Sequence, residues 1–135
     1  AEGRMAEVLL CEALIATERA KEALEACENR LRRPHTEEEK REIHFLLATI
    51  HHRQLHNCEK AIDHYGQAMV FGGTSLLDDR VRLFRASCAL DLGKVDLATV
   101  DLSTLTAHRS RLPNPEELDR LLGRLNETKR VGGRK

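Results

Sequence analysis

The chain has 135 residues, a third of them charged, and its 22 lysines and arginines balance 22 aspartates and glutamates, so no overall field favours DNA, RNA or an anionic membrane. That length suffices for one ordinary domain with its own core, and no stretch approaches the roughly 20 apolar residues that span a bilayer, which excludes membrane insertion. Aromatic residues make up 3% and tryptophan is absent, while alanine, leucine, glutamate and arginine abound, a helix-forming composition.

Taken in chain order, apolar residues at three-and-four spacing predict helices over residues 5–16 and 20–31. Pro34 stops the second. Thr36, with Glu39 three residues later, reads as a capping box opening a third helix over 37–53. A fourth spans 58–71 and is ended by Gly72-Gly73, and a fifth and sixth span 76–92 and 95–108. Pro113 stops the chain before the seventh, over 115–129, where Asn114 offers a cap ahead of Pro115 and the first-turn acids Glu116 and Glu117. Residues 131–135 form a frayed, flexible tail.

Three segments superimpose: Lys21-Glu22-Ala23-Leu24-Glu25-Ala26-Cys27, Glu59-Lys60-Ala61-Ile62-Asp63-His64-Tyr65 and Asp96-Leu97-Ala98-Thr99-Val100-Asp101-Leu102. Ala61 follows Ala23 by 38 residues and Ala98 follows Ala61 by 37. A small residue at each point lets two helices approach closely. The second unit places Phe45, Thr49 and His52 in its first helix and Ala61, Tyr65 and Ala68 in its second. Cys11, Leu14, Ala23 and Cys27 fall in the matching places of the first unit, and Ala86, Ala89, Gly93, Ala98 and Leu102 in those of the third. On these residues the chain resembles the tetratricopeptide repeat family. The resemblance implies an all-α fold of about seven helices, an antiparallel helix-pair superhelical stack. It would form a single domain over 1–130, with repeats over 5–36, 37–74 and 75–110 and a capping helix over 115–130.

In that family the first helix of each pair lines a concave groove. Carried over, the groove would present Val8, Glu12 and Ile15, then Leu46, Ile50 and Arg53, then Arg80, Leu83, Ser87 and Leu90. Such a mostly aliphatic surface suits the apolar face of an amphipathic helix or an extended peptide. The resemblance therefore implies a protein-binding scaffold or adaptor in the cytoplasm, without catalysis or cofactor and without nucleic acid as partner, acting within a larger complex or by self-association. Asparagine and lysine are missing at Val8, Glu12, Leu46 and Ile50, and only Arg80 offers a cation, so a clamp for acidic C-termini is not expected. A second resemblance, carried by Arg85-Ala86-Ser87-Cys88-Ala89-Leu90, Leu92-Gly93-Lys94 and Ala98, is to the small three-repeat chaperones of type III secretion. It implies the alternative role of holding a hydrophobic export substrate.

His44, His51, His52, His56, Cys58 and His64 crowd one region, and His52 with His56 has the i, i+4 spacing that presents two nitrogens to a metal. Neither an H-E-x-x-H motif nor a paired-cysteine motif supports that site, so a packed or solvated cluster is the expectation. The singly spaced Cys11, Cys27, Cys58 and Cys88 fit a reducing setting, with Cys11, Cys27 and Cys88 packed as small hydrophobes. Gly72-Gly73-Thr74-Ser75 lacks the Lys-Ser/Thr of a phosphate loop and reads as a linker.

Overall fold

Helical propensity and periodicity carry through to seven α-helices and no strand among the described residues, the all-α class expected. They are α1 (Glu2–Ala16), α2 (Ala20–Leu31), α3 (Glu37–Thr49), α4 (Cys58–Ala68), α5 (Leu76–Asp91), α6 (Val95–Ala107) and α7 (Pro115–Gly132). The structure, a computed structural model, describes residues 2–33, 35–69, 73 and 75–132, with side chains from Val8 onward. Pro34, Phe71 and Gly72 lie outside the described residues, as do 133–135. α4 ends at Ala68, short of the expected boundary, and α7 runs through Gly132, so Val131 and Gly132 are helical rather than tail. α3 passes at Ile50 into a π-helical turn, Ile50–Gln54.

The helix starts are chemically specified. Thr36 Oγ1 accepts from the Glu39 amide at 3.0 Å while Glu39 Oε1 accepts from the Thr36 amide at 3.0 Å, the reciprocal box anticipated. Ser75 and Asp78 build a second one, with amide contacts of 3.0 and 3.1 Å. A cap of this kind contributes about 1 kcal/mol. The Asp78 carboxylate occupies the space a β-carbon on Gly73 would need, so a side chain there would displace Asp78 from its capping contact. Asn57 caps α4 through the Lys60 amide at 3.2 Å.

The chain divides into two compact units, Ala1–Met69 with α1–α4 and Val70–Lys135 with α5–α7. In the first, α1 packs on α2 and α3 on α4; in the second, α5 packs on α6 and α7 covers both. Connections this short force the paired helices to run antiparallel. Each hairpin turns on one residue in left-handed backbone: Glu18 at φ 58°, His56 at φ 51° and Gly93 at φ 74°. These residues recur with the same 38- and 37-residue spacing as Ala23, Ala61 and Ala98, each five positions before its alanine. In the first hairpin Arg19 N donates to Leu14 O (2.9 Å) and Glu18 N to Ile15 O (3.0 Å), and in the third Lys94 N donates to Ala89 O (2.8 Å) and Gly93 N to Leu90 O (3.1 Å). Both pairs form the Schellman closure of a helix C-terminus. In the second hairpin Asn57 N reaches one residue further back, to His51 O at 2.7 Å, because the π turn takes up one extra residue.

The three alanines are fully buried, as close helix approach requires. The core of the first unit joins Cys11, Leu14, Ala23, Cys27, Ile43, Leu46, Leu47 and Ile50. In the second, Leu118, Leu121 and Leu125 of α7 recur at three-and-four spacing and are buried with Leu102 and Leu105 of α6.

Candidate functional site

The expected groove residues separate by depth. In the first unit Leu46 is buried and Ile50 is 0% exposed, both within the core. A partner reaches neither without opening that core, so they leave the candidate surface. The reason is that the α1–α2 hairpin packs on the side of α3 and of the following π turn that carries them. Val8 and Ile15 are half-buried against the same cluster, whereas Glu12 and Arg53 are exposed. In the second unit Arg80 is exposed, Leu83 and Ser87 are half-buried, and Leu90 is buried.

Two residues outside the expected set are more accessible: Leu9 is 56% and Leu10 53% exposed on α1. The signal for them was present in the sequence. From Val8 to Ala16 α1 carries a single charge, Glu12, so it has almost no polar face to give to water, and a helix apolar on all sides needs cover on all sides.

The histidines of the first unit are knitted together. The ring centres of His44 and His64 lie 5.2 Å apart while their Nδ1 atoms are only 3.0 Å apart, so the two nitrogens point at one another along the line between the rings. One donates its N–H and the other accepts, which makes them opposite tautomers. His51 lies parallel to His64, at 2° and 5.5 Å between centres, and its buried Nδ1 has no hydrogen-bond partner among the described residues. Burial holds the His44 imidazole down to about pKa 4, with His64 adding to the effect. Burial also lowers His51 and His64. His52 Nδ1 is 3.1 Å from the hydroxyl of fully buried Tyr65, whose ionisation burial opposes. The helical pair His52 and His56 does not form as such: His52 sits in the π turn, and His56 lies beyond its end in left-handed backbone. Gln54 ties that turn to α1 by donating to Ile15 O at 2.6 Å.

Cys11 and Cys27 are buried as expected, but they are bonded to each other as a disulfide across α1 and α2, with α-carbons 5.7 Å apart. This corrects their reading as separate packed thiols. Such a bond persists where the surroundings are oxidising, and no cysteine is free among the described residues, so neither the reducing setting nor the reading of Cys88 as a packed thiol holds.

In the second unit one carboxylate gathers three basic side chains. Asp79, buried on α5, accepts from Arg82 Nη1 at 3.1 Å and His108 Nδ1 at 2.9 Å on one oxygen, and from Arg111 Nε at 3.0 Å and Nη2 at 2.8 Å on the other. The 3₁₀ turn Arg109–Arg111 is thereby pinned to α5. Asp101, also buried, receives a two-pronged bond from Arg85 at 2.8 and 2.6 Å, which ties α6 to α5. Beside Asp79 a cavity of about 140 Å³ is walled by aliphatic side chains of α5, α6 and residues 112–113. Sequence spacing carried no sign of the Asp79 cluster, since Arg111 is 32 residues from its partner.

Compared with known proteins, the chain matches no family model, no curated protein and no solved structure. Among the described residues no helix is long and apolar enough to cross a membrane.

Proposed function

We propose that this chain is a protein-interaction scaffold of tetratricopeptide-like helix hairpins, a non-enzymatic adaptor that docks the apolar face of a partner's amphipathic helix. The observation that carries the reading is the pair Leu9 and Leu10, both more than half exposed on α1 and continuous with half-buried Val8. Adjacent leucines lie about 100° apart around a helix, so together they widen the apolar arc that α1 offers to a partner. Support also comes from the recurrence of the hairpin turn at Glu18, His56 and Gly93, which gives the repeat a backbone counterpart. Several reactive side chains are occupied structurally: His44 bonds His64, His52 bonds Tyr65, and both oxygens of Asp79 are filled. Of the expected groove, Val8, Glu12, Ile15 and Arg53 remain in the proposal for the first unit.

A photo-crosslinking side chain placed at position 9 or 10 tests this. Mass spectrometry is expected to find crosslinks to a helix of another protein, and capture of that protein is expected to be lost in Leu9→Asp/Leu10→Asp with the helical circular dichroism unchanged. Retained capture by the double variant would remove α1 from the binding surface.

A further inference from the structure

Among the asparagines of the chain only Asn126 is followed two residues on by a hydroxyl residue, in Asn126-Glu127-Thr128. That is the acceptor pattern for an N-linked glycan when the middle residue is not proline. A triplet of this kind goes unused in a reducing compartment, because the sugar is attached in the lumen where disulfides also form. The bond between Cys11 and Cys27, with no cysteine free among the described residues, argues for the disulfide-forming side of that division.

The second unit presents Asn126 on an open side of α7. Leu118, Leu121 and Leu125 form the buried side, and Asn126, one residue on from Leu125, is turned about 100° from it and is exposed. Asp119, Gly123 and Arg130 share its side at three-and-four spacing and are exposed too. A β-carbon on Gly123 would meet no atom within 4 Å, so there is free space one turn from Asn126, and the Asn126 side chain bonds no other group among the described residues. We propose that Asn126 is a site of N-glycosylation that receives an oligosaccharide from a lipid-linked diphosphate donor. Asn126 Nδ2 attacks the anomeric carbon of the first sugar. The new C–N bond replaces the C–O bond to the diphosphate, which leaves with its electron pair, and the amide proton passes to a base of the transferase. In folded α7 the Thr128 Oγ1 donates to Arg124 O at 2.9 Å and Thr128 lies about 200° around the helix from Asn126, so the two side chains cannot be offered to one enzyme together. Attachment therefore precedes the packing of α7, whose helical stability comes chiefly from burying its leucines. The finished glycan then projects from the exposed side and leaves those leucines in place.

The test uses the full chain isolated from its own cells, treated with peptide N-glycosidase in oxygen-18 water and read by mass spectrometry of the peptide that contains position 126. The glycosidase turns a glycan-bearing asparagine into aspartate and takes the new oxygen from solvent, so position 126 is expected to carry the label, and the same treatment is expected to speed the chain's migration on a denaturing gel. Asn126→Gln and Thr128→Ala are each expected to abolish both signals, and Thr128→Ser, which keeps the hydroxyl, to retain them. Because position 126 is exposed, Asn126→Gln is expected to leave the helical circular dichroism unchanged. An unlabelled peptide, signals that survive Thr128→Ala, or equal label without the glycosidase, which marks spontaneous deamidation, would each overturn the proposal. Alkylation of Cys11 and Cys27 without prior reduction would overturn it as well, by removing the oxidising compartment. The scaffold reading stands or falls separately, on the crosslink from α1.

Discussion

Protonation state is the property most tightly controlled at the scale of single residues. In water an unfolded chain's histidines take up protons near pH 6.5, but the folded His44 resists to about pH 4, through burial first and then His64, Lys40 and His35. His51 and His64 are shifted the same way by burial, with Lys60 reinforcing and Glu28 opposing. The folded values lie below the unfolded ones, so the stability is fully present above about pH 6.5 and is lost as pH falls toward the folded values. A tenfold change in proton affinity is worth about 1.4 kcal/mol, so His44 alone is expected to remove about 2 kcal/mol between pH 6.5 and 5. Urea denaturation at pH 7.5 and 5 measures this, and a midpoint that does not move would show the rings to be solvated. Asp79 acts in the opposite electrostatic sense, as the acid for buried Arg82 and for Arg111. Asp79→Ala leaves a buried guanidinium without its carboxylate, and a loss of about 3–5 kcal/mol is expected. Chemical denaturation checks it, and Asp79→Asn, which retains one acceptor oxygen, is expected to lose less. The crowding of His44, His51 and His64 was legible as a packed or solvated cluster, but which rings pair was not, and the Asp79 cluster left no sign: Asp79 and His108 are 29 residues apart, and no local pattern links such positions.

Single elements were the most legible level. The spans of α1, α2, α5 and α6 follow from three-and-four spacing to within a few residues, because the periodicity that buries one face is a local property of the helix. The Thr36–Glu39 box was legible for the same reason, whereas the Ser75–Asp78 box is closed by the shorter aspartate where the usual pattern has glutamate or glutamine. The π turn at Ile50–Gln54 left no trace, since one inserted residue hardly disturbs an apolar pattern that continues through it. Cys11 and Cys27 showed their burial but not their bond, which depends on the packing angle of α1 against α2. That bond spans 16 residues, a loop for which chain-entropy reasoning gives about 3 kcal/mol. Reductant, or Cys27→Ser, is accordingly expected to lower the thermal midpoint of residues 1–69. Hydrogen exchange resolved along the chain reads it, and unchanged protection in α1 and α2 would mean that packing alone holds the hairpin.

At the scale of the whole molecule, neutrality conceals a division, with acids in excess over residues 1–69 and bases over 70–135. That division coincides with the two compact units, whose boundary between Met69 and Val70 falls just ahead of Gly72-Gly73. By itself the sequence determined the all-helical class, the helix count, the cap at Thr36 and the period of the hairpins, all of which arise from interactions a few residues long or from exact recurrence. Tertiary structure alone decided that Leu46 and Ile50 pack within a core, which histidine rings stack on one another, that Cys11 bonds Cys27, and that Asp79 gathers its cations beside an aliphatic cavity. Periodicity says which residues share a face of a helix. Which face meets another helix depends on how neighbouring hairpins pack, and that is set by the sum of contacts between residues far apart in the chain.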